Sequence, residues 1–321
     1  MKILVTGGAG FIASHIVDAY IALGHTVIVL DNFSSGKKEF VNPKAKLCEV
    51  DIRDKNEIES IIAQEKPEVI NHHAAQISVR QSVADPTRDA EINILGLLNL
   101  LEAGRKNNIK KVIFASSGGV VYGEAKTIPT PESYVPLQPL SPYGVTKLAS
   151  EYYLHFYYQT YHIPYIALRY ANVYGPRQNP HGEAGVVAIF SQKLIAGESS
   201  VINGDGKQTR DYIYVGDVVE ANKKALETTH SGSFNIGTGK ETDVIELFAG
   251  IKKMSGVGKE AKHGPQKFGE QRRSCLDCRF AQEILGWENQ LSLSEGLRKT
   301  VDYFKTMVKR ELFTTYEKKT I

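Results

Sequence analysis

The stretch Thr6-Gly-Gly-Ala-Gly-Phe-Ile-Ala13 decides the fold of this chain, because it follows a short apolar strand and opens a helix. Glycine lacks a Cβ, so the backbone at Gly8 and Gly10 can turn tightly and approach a pyrophosphate. The N-terminus of the helix that follows favours negative charge. Ala13 occupies the place of a third glycine, which the dinucleotide-binding pattern permits. A plain strand–turn–helix without a ligand is the alternative at this point.

Strand and helix patterns alternate through the first half of the chain, which is typical of a doubly wound parallel sheet. The expected strands are Lys2–Thr6, Thr26–Leu30, Leu47–Val50, Glu68–Asn71, Lys111–Ala115, Tyr165–Arg169 and Ser233–Ile236. The expected helices are about Gly10–Leu23, Lys55–Gln64, Pro86–Asn107, Pro142–Tyr161, Val186–Ala196, Val218–Glu227, Val244–Met254 and Ser292–Thr306. We therefore predict an α/β fold with a Rossmann-type doubly wound parallel sheet and a smaller α/β substrate-binding lobe.

The two lobes are expected to interleave. Residues 1–175 form the predicted dinucleotide-binding domain, and residues 216–240 return to it. Residues 176–321 mainly form the predicted substrate lobe, and the Pro- and Gly-rich segment 175–185 marks the boundary.

Composition excludes several classes of protein. The chain has 321 residues, and 42% hydrophobic residues are enough for a sizeable core. A net charge of +3 does not indicate a nucleic-acid or membrane binder. The chain opens without a charged leader and has no long apolar run, so a cytoplasmic protein is expected. Three cysteines argue against a disulfide framework, and Cys275-Leu-Asp-Cys278 lacks the second ligand pair of a metal site, so no metal is expected.

Asp31 strengthens the dinucleotide hypothesis. It ends the second expected strand about 20 residues after the glycine turn, where a carboxylate binds the adenosine ribose hydroxyls. A carboxylate there repels the 2′-phosphate of NADP, and Asn32 and Phe33 supply no arginine, so NAD is the expected cofactor. Asp51 follows the third strand and could reach the adenine amino group, or equally cap a helix before Arg53.

Tyr143 and Lys147 lie four residues apart in Ser141-Pro-Tyr-Gly-Val-Thr-Lys147, so a helix places them on one face. Ser141 can cap that helix and Pro142 can occupy its first position. The Lys147 ammonium and the helix dipole both favour the phenolate. This predicts a lowered pKa for Tyr143 and a role as a base in proton transfer.

A Ser/Gly turn, Ala115-Ser-Ser-Gly-Gly-Val-Val-Tyr-Gly123, follows a buried strand upstream of that helix. Ligands bind at the carboxyl ends of strands in such sheets. A hydroxyl at Ser116 or Ser117 is therefore expected to face the reacting sugar or alcohol, although a plain turn leaving a strand is the alternative. Together with the dinucleotide site, these residues indicate proton and hydride transfer at a carbinol carbon.

At these residues the chain resembles the extended short-chain dehydrogenase/reductases, and within them the UDP-glucose 4-epimerases. The resemblance covers nearly the whole chain. Its matching segments are Thr6–Ala13, Asp31-Asn32, His73-Ala-Ala-Gln76, Asn93, Ser116–Gly123, Ser141–Lys147, Arg169–Arg177, Arg210-Asp-Tyr212 and Asn235-Ile-Gly237.

The resemblance implies roles for individual residues. Tyr143 would be the base, Ser117 would hold the sugar hydroxyl, and Lys147 would bind the nicotinamide ribose. The implied cofactor contacts are Gly7, Gly10, Phe11, Ile12, Asp31, Asn32, Asp51, Ile52, His73, Ala74, Ala75, Gln76, Asn93, Ser116, Tyr143, Lys147 and Tyr170. The implied substrate contacts are Ser117, Tyr143, Asn172, Val187, Val201, Asn203, Arg210, Lys267 and Ser274. A homodimer formed by the helices Pro86–Asn107 and Pro142–Tyr161 is also implied.

The late substrate residues depart from the family's pattern. Lys267 stands where an arginine is usual, and lysine lacks the bidentate fork, so Arg272 and Arg273 are alternatives. Arg210 is expected to bind the diphosphate, with an exposed ion pair to Asp211 as the alternative. Ser274 falls where a bulky residue in some epimerases excludes N-acetyl groups, and a surface-loop serine is the alternative.

Gly118 and Gly119 favour epimerisation, because related dehydratases and decarboxylases carry acidic residues at those places. The resemblance therefore implies an NAD-dependent isomerase that interconverts UDP-glucose and UDP-galactose through a 4-ketosugar, as in galactose metabolism. The alternatives are a UDP-glucuronate or UDP-N-acetylglucosamine 4-epimerase, and another NAD-dependent nucleotide-sugar epimerase or reductase. A non-catalytic dinucleotide sensor is the remote alternative.

Overall fold

The computed structural model describes residues 1–181, 185–266 and 271–317, with side chains up to residue 308. Its strands are β1 (Lys2–Thr6), β2 (Thr26–Asp31), β3 (Lys46–Glu49), β4 (Val69–His72), β5 (Lys111–Ser117), β6 (Tyr165–Tyr170), β7 (Asn172–Tyr174), β8 (Val201–Asn203), β9 (Thr209–Arg210), β10 (Tyr212–Tyr214), β11 (Gly232–Ile236), β12 (Thr242–Asp243) and β13 (Lys262–Gly264). Its helices are α1 (Phe11–Ala22), α2 (Lys55–Glu65), α3 (Val79–Ala84), α4 (Pro86–Ala90), α5 (Gly96–Lys106), α6 (Pro142–Tyr161), α7 (Val186–Ile195), α8 (Val215–Glu227), α9 (Val244–Ser255), α10 (Arg279–Leu285) and α11 (Leu293–Glu317).

Seven parallel strands form the central sheet in the order β11-β6-β5-β4-β1-β2-β3. The predicted doubly wound α/β fold is confirmed. The strand order reverses between β1 and β4, and in such sheets ligands bind beyond the carboxyl ends of the strands at this point. Strand β11 pairs in parallel with β6, and Phe234 lies opposite Leu168.

Apolar residues cover both faces of the sheet. On one face, Ile16 of α1 and Val218 of α8 belong to a buried cluster with residues of the strands. On the other face, Ile58 of α2, Leu100 of α5 and Leu154 of α6 belong to a second cluster. Strands that are buried on both faces read as continuous apolar runs, which explains why the sequence pattern located them.

The second half of the chain adds a third apolar cluster. Helices α7, α9 and α11 contribute Phe190, Phe248 and Val301 to it. Three two-stranded sheets lie beside these helices: β7 with β10, β8 with β13, and β9 with β12. The sequence did not predict these strands, because two or three residues carry too little pattern. The division of the chain into residues 1–175 with 216–240, and residues 176–321, stays a prediction.

The helical stretch predicted for about Pro86–Asn107 is confirmed, and the structure adds a π-helical turn within it. The segment is divided into α4, a π-helical turn at Glu91–Leu95 and α5. Asn93 lies inside the π-turn, where its side chain binds the backbone of Gln76. The π-turn and this contact therefore occur at the same residue, beside the segment that follows β4. Within the described residues, no helix is both long enough and apolar enough to cross a membrane.

Candidate active site

The glycine turn between β1 and α1 lies at the switch point of the sheet. Gly7 adopts a φ of +68°, and a Cβ there would lie 2.8 Å from the backbone nitrogen of Ala74. Gly10 is the N-cap of α1, so Phe11 and Ile12 begin the helix without a side chain covering its free N–H groups. This backbone is open to an anion, which fits the predicted pyrophosphate role.

Asp31 is buried at the carboxyl end of β2. Its carboxylate accepts hydrogen bonds from the backbone N–H of Ala9 at 2.9 Å and of Phe33 at 2.8 Å. The side chain is therefore fixed between the glycine turn and the loop after β2. That position fits the predicted contact with the adenosine ribose.

Asp51 does not cap a helix, so that alternative is wrong. Asp54 is the N-cap of α2 and accepts a hydrogen bond from the N–H of Glu57. Asp51 instead forms a two-pronged ion pair with Arg53, whose hydrogen bonds lower the pKa of Asp51 to about 2. Asn32 donates to the same carboxylate at 2.9 Å, so the two predicted cofactor residues touch each other.

The segment after β4 lies beside the end of β6. Nε2 of His73 lies 3.1 Å from the hydroxyl of Tyr170, which accepts a hydrogen bond from Asn222. Among the described residues, Nδ1 of His73 has no partner, and burial lowers the pKa of His73 to about 3. The ring is therefore neutral, and it packs beside the expected cofactor position. His72 lies 2.7 Å from the hydroxyl of Thr6, and the described residues contain no group of three metal ligands.

The catalytic helix α6 begins as the sequence predicted. Ser141 accepts a hydrogen bond from the N–H of Gly144, and Pro142 is the first helical residue. The ammonium of Lys147 lies 5.8 Å from the centroid of the Tyr143 ring. The helix thus brings the two predicted catalytic side chains together on one face. Lys147 also donates a hydrogen bond to the carbonyl of Ala115 in β5.

The predicted lowering of the Tyr143 pKa is wrong for this structure. Burial raises the pKa of Tyr143 above its ordinary value, and the negative charge of Asp89 raises it further. Burial lowers the pKa of Lys147 to about 8, against the opposing charges of Asp89 and Glu151. Loss of hydration outweighs the nearby ammonium, because a phenolate in a largely dry site is costly.

The two serines of the turn after β5 have different surroundings. The hydroxyl of Ser116 donates to the carboxylate of Glu151, beneath the turn. Ser117 is the last residue of β5 and is partly exposed. A Cβ added to Gly119 would lie 3.8 Å from Ser117 Oγ and 4.0 Å from Asn172 Oδ1. Ser117, rather than Ser116, therefore faces the space between β5 and β7.

Gly118 and Gly119 are not equivalent. A Cβ added to Gly118 would lie 2.5 Å from Leu276 and 3.2 Å from the carbonyl of Arg169. A side chain at Gly118 would therefore collide with packed residues, so Gly118 adds no open space beside the turn. Gly119 alone faces Ser117 and Asn172.

The predicted substrate contacts in the second half of the chain lie on several different elements. Val187 in α7 is fully buried in the third apolar cluster. Val201 begins β8 on its exposed side, and Asn203 ends that strand. Lys267 lies outside the described residues. Asn172 is held at the start of β7 by a hydrogen bond from its N–H to the carbonyl of Asp211.

The alternative of an exposed ion pair between Arg210 and Asp211 is wrong. Asp211 is buried, and its carboxylate accepts hydrogen bonds from Thr238, Gly239 and Leu276. Burial raises the pKa of Asp211. Arg210 is partly exposed and donates to the carbonyl of Thr209.

Two arginines named as alternatives to Lys267 already have carboxylate partners. Arg272 forms a two-pronged ion pair with Asp205, and Arg273 forms one with Glu241. Ser274 comes directly after Arg273 in the chain. It is buried, so the alternative of a surface-loop serine is wrong.

Sequence reasoning missed a buried ion pair beneath the catalytic turn. Glu151 lies one helical turn after Lys147 and pairs with Arg169, at 2.6 Å between Oε2 and Nη2. Ser116 and Ser233 donate to the same carboxylate, and Arg169 also donates to the Tyr122 hydroxyl. The four-residue spacing between Lys147 and Glu151 in the sequence could have indicated that Glu151 lies on the same face of the helix. The pairing with β6 depends on the folded chain.

The sequence model of the NAD dependent epimerase/dehydratase family matches residues 3–237. A putative UDP-glucose 4-epimerase of Methanocaldococcus jannaschii is 50% identical over 94% of this chain and 98% of its own length. The UDP-glucose 4-epimerase of Mycolicibacterium smegmatis is 47% identical over 95% of this chain and 99% of its own length. This chain belongs to the NAD dependent epimerase/dehydratase family.

Solved structures agree with this assignment. The crystal structure of a UDP-glucose 4-epimerase from Thermotoga maritima with UDP-glucose has a TM-score of 0.94 and 51% identity, covering 96% of this chain and 100% of that one. A Thermus thermophilus UDP-glucose 4-epimerase in complex with NAD has a TM-score of 0.91 and 43% identity, covering 95% and 99%.

Proposed function

We propose that this protein is an NAD-dependent UDP-glucose 4-epimerase, which interconverts UDP-glucose and UDP-galactose through a transient 4-ketosugar. The arrangement of four residues carries the proposal. Tyr143 and Lys147 share one face of α6, and Ser117 ends the neighbouring strand β5. Gly119 places no acid or base beside Ser117. A ketone formed at such a site has no further proton-transfer group to eliminate water or carbon dioxide. It can only receive its hydride back, and return of the hydride to the opposite face of the sugar inverts C4, which is epimerisation.

The residues at the switch point fit NAD. Gly7 has no room for a Cβ, Asp31 holds a fixed carboxylate, and His73 has a buried ring nitrogen without a described partner. The side chains and backbone proposed to hold NAD are those predicted from the sequence, from Gly7 to Tyr170. Bound there, NAD would supply the oxidation and re-reduction at C4 of the sugar, and its positive ring would favour the Tyr143 phenolate.

The proton chemistry belongs to three side chains. Tyr143 accepts the proton of the sugar 4-hydroxyl and returns it after the sugar has turned. Ser117 hydrogen-bonds that hydroxyl and keeps it in reach of the phenol. Lys147 supplies the positive charge that stabilises the phenolate and a donor for the nicotinamide ribose. Burial raises the pKa of Tyr143 and so opposes the phenolate, and positive charge beside the phenol favours it.

The second lobe is the proposed site of UDP. Asn172 faces the same space as Gly119, and Arg210 is partly exposed at the end of β9. A diphosphate is bound best by a guanidinium fork. The resemblance places Arg210 at the diphosphate, so Arg210 is the proposed diphosphate ligand, and Arg272 and Arg273, which pair with Asp205 and Glu241, are the alternatives.

A homodimer formed by the helices Pro86–Asn107 and Pro142–Tyr161 is part of the proposal. Large apolar side chains on these segments are exposed: Leu95 by 53%, Tyr152 by 63% and Phe156 by 46%. Pairing of two copies would bury them. The cytoplasmic location expected from the sequence stays a prediction.

Ser274 supports a second candidate activity on N-acetylated sugars. A UDP-N-acetylglucosamine 4-epimerase from Methanobrevibacter ruminantium is 37% identical, with a TM-score of 0.90, and covers 95% of this chain and 98% of its own length. Ser274 is small, and the resemblance places it at the sugar pocket. This assignment predicts that Ser274→Tyr suppresses turnover of UDP-N-acetylglucosamine more than that of UDP-glucose.

A substrate panel tests both candidates. Purified protein is incubated with UDP-glucose, UDP-galactose, UDP-glucuronate and UDP-N-acetylglucosamine, and the products are resolved by chromatography. Conversion between UDP-glucose and UDP-galactose without net change in NADH is the expected result. Stoichiometric use of added NADH would identify a reductase, and absence of any product would favour the dinucleotide sensor.

A further inference from the structure

We propose that Tyr170 and Asn222 are positioning residues of the cofactor site: they hold the ring of His73 with its proton on Nδ1, where it donates to an oxygen of NAD. Tyr170 ends β6, His73 follows β4, and Asn222 lies in α8. The inference rests on the proposed function, because the oxygen that it names belongs to the NAD of that enzyme.

The side-chain amide of Asn222 has a fixed orientation. Its Nδ2 lies 2.8 Å from the backbone carbonyl oxygen of Val218 and 2.8 Å from the hydroxyl oxygen of Tyr170. A carbonyl oxygen only accepts hydrogen bonds, so the atom that faces it is the amide nitrogen. Asn222 is therefore the donor to Tyr170, and the Tyr170 oxygen is the acceptor in that bond.

The buried neighbours of Asn222 agree with this orientation. Asn71 Nδ2 donates to Asn222 Oδ1 at 3.0 Å and to the Tyr20 hydroxyl at 2.8 Å. The Tyr20 hydroxyl donates in turn to the backbone carbonyl of Asn222 at 3.2 Å. Asn71, Tyr20 and Asn222 are each 0% exposed. A rotated Asn222 amide would set its nitrogen against Asn71 Nδ2 and its oxygen against the Val218 carbonyl, so the packed core excludes the opposite orientation.

The Tyr170 hydroxyl has one proton, and the bond from Asn222 leaves it free to donate that proton. Its other described partner is Nε2 of His73, 3.1 Å away. With the ring proton on Nδ1, Nε2 accepts from the hydroxyl, and only Nδ1–H has no partner among the described residues. With the ring proton on Nε2, both the Tyr170 proton and the Nδ1 lone pair would have none. Because unpaired buried polar groups are costly, the proton belongs on Nδ1.

His73 lies where NAD is expected to bind. Burial lowers the pKa of His73 to about 3, so the ring is neutral and carries a single proton. The ring stacks on that of Tyr170, with centroids 6.0 Å apart. A Cβ added to Gly7 would lie 3.0 Å from the carbonyl carbon of His73, so His73 borders the glycine turn. An acceptor oxygen of NAD, from its ribose or pyrophosphate, is therefore the partner that the buried Nδ1–H needs.

Nitrogen-15 NMR of histidine-labelled protein shows which ring nitrogen carries the proton, with and without bound NAD. The His73 signals are those absent in His73→Phe. The wild type is expected to carry the proton on Nδ1 in both states, and its Nδ1–H signal is expected to shift when NAD binds. Tyr170→Phe removes the donor to Nε2, so in the NAD-free protein the proton moves in part to Nε2. Tyr20→Phe removes a buried hydroxyl from the same network without touching His73, and as the matched control it keeps the proton on Nδ1.

Three spectroscopic results would overturn the proposal. The first is a proton on Nε2 in the wild type. The second is an Nδ1–H signal that NAD leaves unchanged, because the partner of Nδ1 would then be water. The third is a common tautomer in Tyr170→Phe and the wild type without NAD.

The affinity for NAD, measured by calorimetry, is the second readout. His73→Phe keeps a stacked ring and loses Nδ1–H, so its Kd for NAD is expected to rise about tenfold. Tyr170→Phe should raise the Kd less, because part of the His73 population keeps the Nδ1 proton, and Tyr20→Phe should leave it unchanged. Equal Kd values in His73→Phe and the wild type, or equal losses in Tyr170→Phe and Tyr20→Phe, would refute the role. The wild-type spectra and His73→Phe decide the matter even if Tyr170→Phe does not fold.

Neither readout depends on sugar turnover. The expected tautomer and affinities in a protein that converts no UDP-sugar would count against the epimerase function alone. A proton on Nε2 of His73 in an active epimerase would refute this inference alone.

Discussion

Lys147 Nζ donates a hydrogen bond to the carbonyl oxygen of Ala115, 2.8 Å away. This bond ties the catalytic helix to the strand that ends at Ser117 two residues later. The relative position of the phenol, the ammonium and the serine hydroxyl is therefore set by one helix and one strand of the rigid sheet. Such support is what a proton-transfer site needs, because small displacements of catalytic groups are costly.

Replacement of Tyr143 by phenylalanine should abolish most of the activity and leave the fold intact. The phenol is the proposed base, and a positioned acid–base group contributes roughly 10²–10⁴-fold to a rate. The measurement is kcat for UDP-galactose conversion, with bound NAD and circular dichroism as checks on the fold. Tyr152→Phe, on the exposed side of the same helix, is the matched control and should keep full activity. Near-normal turnover in Tyr143→Phe would rule out the proposed base.

Ser117→Ala and Ser116→Ala should have different effects. Ser117 faces the proposed sugar position, so its loss should lower kcat by about 10²-fold with little change in stability. Ser116 donates to the buried carboxylate of Glu151, so its loss should lower the free energy of unfolding by about 1–3 kcal/mol. Urea denaturation and steady-state kinetics on both variants separate the two roles. Equal kinetic losses and unchanged stability in both would show that the turn is misassigned.

A charge in the exposed apolar surface of α6 should prevent dimer formation. Phe156 is 46% exposed, and a glutamate there would be buried without a partner if two copies paired at this helix. Phe156→Glu is therefore expected to run as a monomer in light scattering, while the wild type runs as a dimer. Leu23→Glu, at an exposed position just after α1, is the control. A monomeric wild type at micromolar concentration would contradict the dimer.

Local patterns predicted much of the fold. The bounds of β1 and α6 match the prediction, because a buried β-branched run and a Ser-Pro cap are strong local signals. The strands β8 and β9 escaped prediction, since two- and three-residue strands depend on partners far along the chain. The π-turn was not predicted either, and the contact of Asn93 with Gln76 inside it joins residues 17 positions apart in the chain.

In the candidate site, too, local sequence predicted some features, and others depend on the whole folded chain. The sequence placed Tyr143, Lys147 and Ser117 together, since spacing and strand ends determine where they lie. It gave the wrong direction for the pKa of Tyr143, because burial is a property of the whole fold.

The fate of the hydrogen at C4 tests the account most directly. UDP-galactose carrying deuterium at C4 is incubated with the purified protein in ordinary water, and the UDP-glucose formed is analysed by NMR. Because the hydride is taken from C4 and returned to it, the product should keep the deuterium at C4 and no NADH should accumulate. Loss of the deuterium to solvent, or one NADH formed for each sugar, would contradict epimerisation through a transient 4-ketosugar.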